Sequence, residues 1–292
     1  MPNRKNTRRT PLTSRWMWLT LVPLYLFTLV LVLGPLVYML VLSFEIRADM
    51  WGVIPQFTLA NYKNIFQPVY LNTFVQSLKL ALLCTGLILL IGYPFGYFMA
   101  RLSPRGKKFM TAALMIPFWT NSLIRLYGWI IVLRSGGTLD KVLMALHLTQ
   151  RPLKLLYTYP AVVVGMVYAL LQFMILAVYS SAEKMDWSLV EAARDLGAGE
   201  RQVFFTITLP LLLPAIVSGM LLSFAMSLDD VIISLFVTGV NINTLPIKVY
   251  TALKTGVTPE INALCTLLLA ATLLLVGLSI LWGKISRLTG GG

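Results

Sequence analysis

Two adjacent carboxylates, Asp229 and Asp230, interrupt an otherwise apolar stretch that runs from 211 to 238. Ionisable groups inside apolar segments are costly, and they face a cavity, a partner or water. At about 1.5 Å per residue the pair lies roughly 27 Å along a helix begun at Leu211, in its outer third. Neighbouring side chains on a helix point about 100° apart, so the two acids cannot converge as an aspartyl dyad would require. Asp230 shares a stripe with Gly219, Ser223, Ser227, Ser234 and Thr238, whereas Asp229 is flanked by apolar residues such as Met226 and Ile233. Asp230, with Ser227 beside it, is therefore the acid expected to face a lumen. Two other readings stay open at this point. Small residues at this spacing also make helix–helix seams, and an acid in the outer third can reach interfacial water.

A second cluster sits in Pro117-Phe118-Trp119-Thr120-Asn121-Ser122-Leu123-Ile124-Arg125-Leu126-Tyr127-Gly128-Trp129. Asn121 and Arg125 are four apart and share a helix face. Arg125 is expected at a depth similar to that of the acids, where it would pair with one of them and leave the other for a ligand. Trp119, Tyr127 and Trp129 could offer aromatic faces to a cation, or stand in an interfacial belt. Carboxylates with aromatic walls suit a small organic cation and argue against an anion. Other chemistries lack their residues. His147 has no His, Cys or carboxylate cluster near it in sequence, as metal ligation would need. Cys84 and Cys265 both fall in apolar stretches and read as small buried hydrophobes. No Gly-x-x-x-x-Gly-Lys-Ser/Thr loop exists to cradle phosphates.

The elements that must position these groups are membrane spans. Of 292 residues 58% are hydrophobic and 12% charged, and the charges collect between apolar runs of spanning length. A bilayer demands that segregation, because each span must cross about 30 Å of hydrocarbon with its backbone bonded internally. Six spans are expected, at 17–44, 74–100, 109–133, 159–181, 211–238 and 261–283, giving an all-α membrane protein. The first is preceded by Arg4, Lys5, Arg8, Arg9 and Arg15, but its apolar run is too long for a signal core. The formal charge of +13 might suggest nucleic acid. The basic residues flank spans instead, a topogenic pattern, so no nucleic-acid partner is expected. With the N-terminus inside, fourteen Lys and Arg fall in inner segments and eight in outer ones, favouring N-in and C-in. Residues 1–16 then form a basic inner segment, 17–284 the spanning domain, and 285–292 a tail.

The segment 182–210 carries the most information. Ser188 can cap a short amphipathic helix, with Glu191 completing a capping box. Leu189, Ala192, Ala193 and Leu196 make its apolar stripe, and Gly197 and Gly199 end it. Such an element between spans reads as a docking surface for a partner. Here the chain resembles the permease subunits of binding-protein-dependent ABC importers, whose inner-side signature is Glu-Ala-Ala, three residues, Gly, nine residues, Ile-x-Leu-Pro. Glu191-Ala192-Ala193, Gly197 and Ile207-x-Leu209-Pro210 match that spacing throughout, before the penultimate span.

The resemblance implies a type I ABC importer permease fold in a bacterial plasma (inner) membrane and a transport subunit rather than an enzyme. ATP and Mg would be bound by partner ATPase subunits in two copies, with no cofactor in this chain. Glu191, Ala192, Ala193, Asp195, Leu196 and Gly197 would form the contact with the ATPase. A second permease subunit and an extracytoplasmic substrate-binding protein complete the expected assembly. Residues 116–125 are similar to one permease subunit of spermidine/putrescine importers. Residues 227–232, Phe236-Val237-Thr238-Gly239 and Pro259-Glu260-Ile261-Asn262-Ala263-Leu264 look like the other. That mixture leaves open pairing with itself or with a second permease, and polyamines are the implied cargo. Thiamine, iron or another small solute is the alternative within the class, and a channel or passive carrier lies outside it.

Overall fold

The structure is a computed structural model that describes residues 21–48, 52–239, 244–256 and 258–289. The basic segment 1–16 and the terminal 290–292 lie outside the described residues. Helices dominate, as the apolar runs require. They are α1 (Leu21–Leu42), α2 (Ala60–Ile65), α3 (Pro68–Ala100), α4 (Pro104–Trp119), α5 (Ser122–Leu133) and α6 (Thr138–Ala145). After these come α7 (Tyr159–Glu183), α8 (Ser188–Asp195), α9 (Glu200–Asp229), α10 (Ile232–Val237), α11 (Leu245–Thr255) and α12 (Pro259–Thr289). One antiparallel ribbon, β1 (Ile46–Arg47) with β2 (Val53–Ile54), pairs Ile46 with Ile54.

Among the described residues α1, α3, α7 and α9 are each long and apolar enough to cross a membrane. The sixth expected span falls on α12, whose described apolar stretch, Pro259–Leu274, is shorter. The third expected span, 109–133, is not one straight helix: Pro104–Trp119 and Ser122–Ala145 meet at 94°. Pro117 lacks the N–H needed to continue the ladder. Thr120 turns extended, and Asn121 caps the new helix by accepting from the Leu123 N–H at 2.8 Å. The fifth expected span also breaks. α9 stops at Asp229, Asp230 has extended dihedrals (φ −70°, ψ 106°), and α10 starts two residues later. The stripe from Gly219 to Thr238 therefore does not run along a single helix.

The chain divides into two units. One comprises residues up to 66 with 256–270. Within it Asn61 Nδ2 donates to the carbonyls of Ser43 (2.9 Å) and Glu45 (2.8 Å), fixing the chain beyond α1 against α2. Asn64 donates to Glu260 Oε1 at 3.0 Å.

The other unit, 67–255 with 271–292, has its core where α3, α7 and α9 meet, around Ile88, Met174, Val178, Leu212 and Ile216. Small residues let these backbones approach, as expected where lipid gives helices no hydrophobic drive to associate. A Cβ on Gly96 would lie 2.7 Å from the Ile175 carbonyl oxygen and 3.0 Å from Val178 Cβ. One on Gly219 would lie 2.9 Å from Met174 Sδ. Ser223 and Ser227 on the same face of α9 are buried, and the Ser227 hydroxyl reaches Met166 Sδ at 3.3 Å. The α9 half of the small-residue stripe is thus a packing seam. Gly96→Ala pushes on backbone, which cannot swing away, and should cost about 1–3 kcal/mol through overpacking. A clear fall in thermal unfolding temperature in detergent is the expected readout, while Gly86→Ala, with nothing within 4 Å of the added Cβ, leaves it unchanged.

Candidate functional site: a cavity and a docking helix

The two helix breaks come together beside α7, where α10 packs against both α5 and α7. Between them lies a cavity of about 190 Å³. α4 and α5 contribute Phe118, Ser122, Arg125 and Trp129, and α7 contributes Tyr168, Gln172 and Phe173. Met226 lies on α9, and Asp230 with Ile233 comes from the second break and α10. Two edge-to-face aromatic pairs build the walls: Trp129 with Tyr168 at 5.2 Å between ring centroids, and Phe118 with Phe173 at 6.1 Å. Such pairs hold their rings in fixed orientation.

Asp230 reaches the cavity because the helix ends there. Its Oδ2 accepts from the N–H groups of Ile233 (2.8 Å) and Ser234 (3.2 Å), the unpaired donors at the start of α10. Oδ1 has no such partner among the described residues. Asp229, one residue earlier on α9, is exposed and does not line the cavity. Arg125 lines the same cavity as Asp230, and its Nε is buried without a hydrogen-bond partner. Lys107 pairs with Glu183 and Arg194 with Glu200, whereas Arg125 forms no ion pair with Asp229 or Asp230.

Not every residue singled out in the sequence comes together here. Trp119 is 84% exposed and Tyr127 65%. Asn121 serves as a cap at the bend, and Ser227 is sealed in the α7–α9 seam. Conversely, Tyr168, Gln172 and Phe173 were not anticipated. Gln172 is a polar side chain buried in mid-span, where it donates to the Ala169 carbonyl at 3.2 Å. A lone amide in an apolar run was the available signal.

The second region is the connection between α7 and α9. Its short helix, α8, begins at Ser188, so Ser188 and Glu191 do not form the expected capping box. Asp186 does the capping instead, accepting from the Ser188 N–H at 3.0 Å. Hydrogen bonding from the Ser188 hydroxyl and then its N–H holds the Asp186 carboxyl below the usual aspartate range. Gly197 terminates the helix with φ +84°, a left-handed conformation that disfavours any side chain. The element is tied inward by Val190 and Val203, both buried, and by Trp187. The Arg101 guanidinium at the end of α3 sits 5.7 Å from the Trp187 ring and 5.8 Å from Tyr97. The opposite face stays open: Leu189 is 47% and Leu196 89% exposed, with Ala192 beside them. α9 itself starts at Glu200 and continues unbroken through a π-turn at Phe204–Thr208. That wider turn accommodates Pro210, whose ring would clash with a regular ladder.

Comparison with known proteins agrees with this arrangement. Residues 92–285 match the family described as binding-protein-dependent transport system inner membrane component. The chain belongs to this family: it is a multi-pass inner-membrane permease subunit of an ABC importer, a transport protein rather than an enzyme. It is 40% identical over 210 residues to the spermidine/putrescine transport system permease protein PotB of Salmonella typhimurium (strain SL1344), covering 72% of this chain and 73% of the relative. To PotC of Escherichia coli (strain K12) it is 32% identical over 244 residues, covering 83% and 85%. Among solved structures, a bacterial ABC transporter that imports alginate matches with a TM-score of 0.68 at 16% identity over 93% of this chain and 95% of that one. The MetNI methionine transporter matches at 0.54 and 18% over 76% and 98%. These two establish the fold. A permease subunit of this family works with an ATPase and a substrate-binding protein.

Proposed function

We propose that the chain forms the path for polyamines, spermidine or putrescine, delivered by an extracytoplasmic binding protein and moved by alternating access. The observation that carries this reading is Asp230, a carboxylate with a free oxygen in an aromatic-walled cavity at a break between helices. Ammonium groups suit the carboxylate, and methylene linkers suit Phe118, Trp129, Tyr168 and Phe173. The names of the relatives point to the same cargo. In this reading Arg125, which shares the cavity without pairing with Asp230, leaves that carboxylate to an incoming ammonium group. A carboxylate in this position speaks against an anionic solute.

The face bearing Glu191, Ala192, Ala193, Asp195, Leu196 and Gly197 seats in the ATPase subunit, which holds ATP and Mg. Trp187 and Arg101 pass its displacement to α3. Two ATPase copies serve two permease subunits, the second being a different chain; self-pairing is the alternative. Residues 17–284 form the spanning domain, with 182–210 as its coupling element. Cells lacking their own polyamine uptake, supplied with this chain, its second permease, ATPase and binding protein, should accumulate labelled spermidine. Unlabelled putrescine should compete, and thiamine should not. Competition by thiamine with none by putrescine would rule the polyamine reading out. Purifying the chain with the ATPase alone tests pairing, since a stable complex without a second permease contradicts the heterodimer.

A further inference from the structure

Away from the cavity, the start of α4 and the end of α7 enclose a separate cleft of about 560 Å³, lined by Pro104, Lys107, Lys108, Thr111, Ala112, Tyr179 and Glu183. It lies at the end of α7 that leads within five residues into α8, and the Lys and Arg distribution assigns that end to the inner leaflet. Lys107 Nζ is 3.3 Å from Glu183 Oε1, with the two side chains 25% and 43% exposed. This pair sets one wall and neutralises one carboxylate. Lys108 forms no ion pair among the described residues, and neither do Arg105 and Lys184, which follow on the two helix ends. The cleft and its rim thus carry four cations, Arg105, Lys107, Lys108 and Lys184, against the single carboxylate of Glu183.

The same face of α4 changes character along its length. Lys108, Ala112 and Ile116 recur at four-residue spacing, and Ile116 is 68% exposed. A basic recess therefore continues into an open apolar strip that points along the membrane-spanning part of the helix. A ligand matching both parts carries an anionic phosphate at one end and a hydrocarbon chain at the other. We infer that this cleft binds the head group of an anionic phospholipid of the inner leaflet, with Lys107 and Lys108 on the phosphate and an acyl chain along Ala112 and Ile116. Basic recesses between spans on this side of a membrane are suited to such head groups.

The test uses the assembled transporter, with native mass spectrometry of the complex in detergent after addition of dioleoylphosphatidylglycerol or dioleoylphosphatidylcholine. Wild type should retain phosphatidylglycerol in preference to phosphatidylcholine. The pair Lys107→Gln and Lys108→Gln should lower phosphatidylglycerol retention roughly tenfold or more without changing phosphatidylcholine. Lys107→Arg with Lys108→Arg should restore it, and this arm separates lost charge from lost folding. Equal retention by wild type and the glutamine variant overturns the proposal. Millimolar inorganic phosphate displacing the lipid while binding in its place would make this a free-phosphate site and overturn it too. Loss of the second permease subunit from the glutamine variant would show that the face is a subunit contact, with the same consequence.

Discussion

Asp230→Asn is expected to weaken transport of a polyamine cation severely while leaving the protein folded. Asparagine keeps an oxygen that can accept from Ile233 and Ser234, so the cap on α10 survives. What disappears is the negative charge in the cavity. Removing one partner of a desolvated charge pair costs about 2–5 kcal/mol, which corresponds to an apparent affinity roughly thirty-fold weaker or more. Concentration-dependent uptake of labelled spermidine reads this directly. Asp229→Asn, one residue away but exposed and outside the cavity, should change little. Equal effects of the two substitutions would mean that the acids act through general charge rather than through this cavity.

The second large effect concerns Leu196. Its side chain is 89% exposed at the end of α8, so nothing in this chain's own packing depends on it. Leu196→Glu should leave thermal stability within about 0.5 kcal/mol, as for an ordinary surface change. If the face seats in an ATPase cleft, the same substitution buries a charge at an apolar contact. Loss of a central interface side chain costs about 2 kcal/mol or more, roughly thirty-fold in affinity. Transport should collapse, and the ATPase should cease to co-purify or lose its stimulation by loaded binding protein. A Leu196→Glu transporter that hydrolyses ATP and imports normally would remove this face from the coupling contact. Gly197→Ala should act more weakly, through about 1 kcal/mol of strain at φ +84°.

Much of this architecture is legible in the residues themselves. Apolar runs locate the helices because a bilayer requires long uninterrupted segments, and the spacing from Glu191 to Pro210 marks the docking element. Hydropathy is blind to direction, however. A window over 109–133 reads the same whether the helix is straight or bent by 94°. A common straight helix would carry Trp119, Asn121 and Tyr127 with Arg125, but the break at Thr120 leaves Trp119 on the preceding helix and makes Asn121 the cap of the one that bears Arg125 and Tyr127. Pro117 and the Asn121 cap are the local causes. The same blindness affects 211–238, where Asp230 caps a new helix and so cannot extend the stripe of Gly219, Ser223 and Ser227. Those three small residues pack in a seam, a role that spacing alone does not separate from lining a lumen. Arg125 and Asp230 were both singled out and do share a cavity. The aromatic wall from α7 was not foreseen, because Tyr168 and Phe173 in an apolar run carry no mark of what they face.

The most direct test of the whole account is uptake by proteoliposomes containing this chain with its ATPase and second permease, ATP enclosed, and binding protein with labelled spermidine outside. The account predicts accumulation that needs both ATP and the binding protein, and that falls away with Asp230→Asn. Spermidine entering at the same rate without ATP would contradict it, since the chain would then be a passive path.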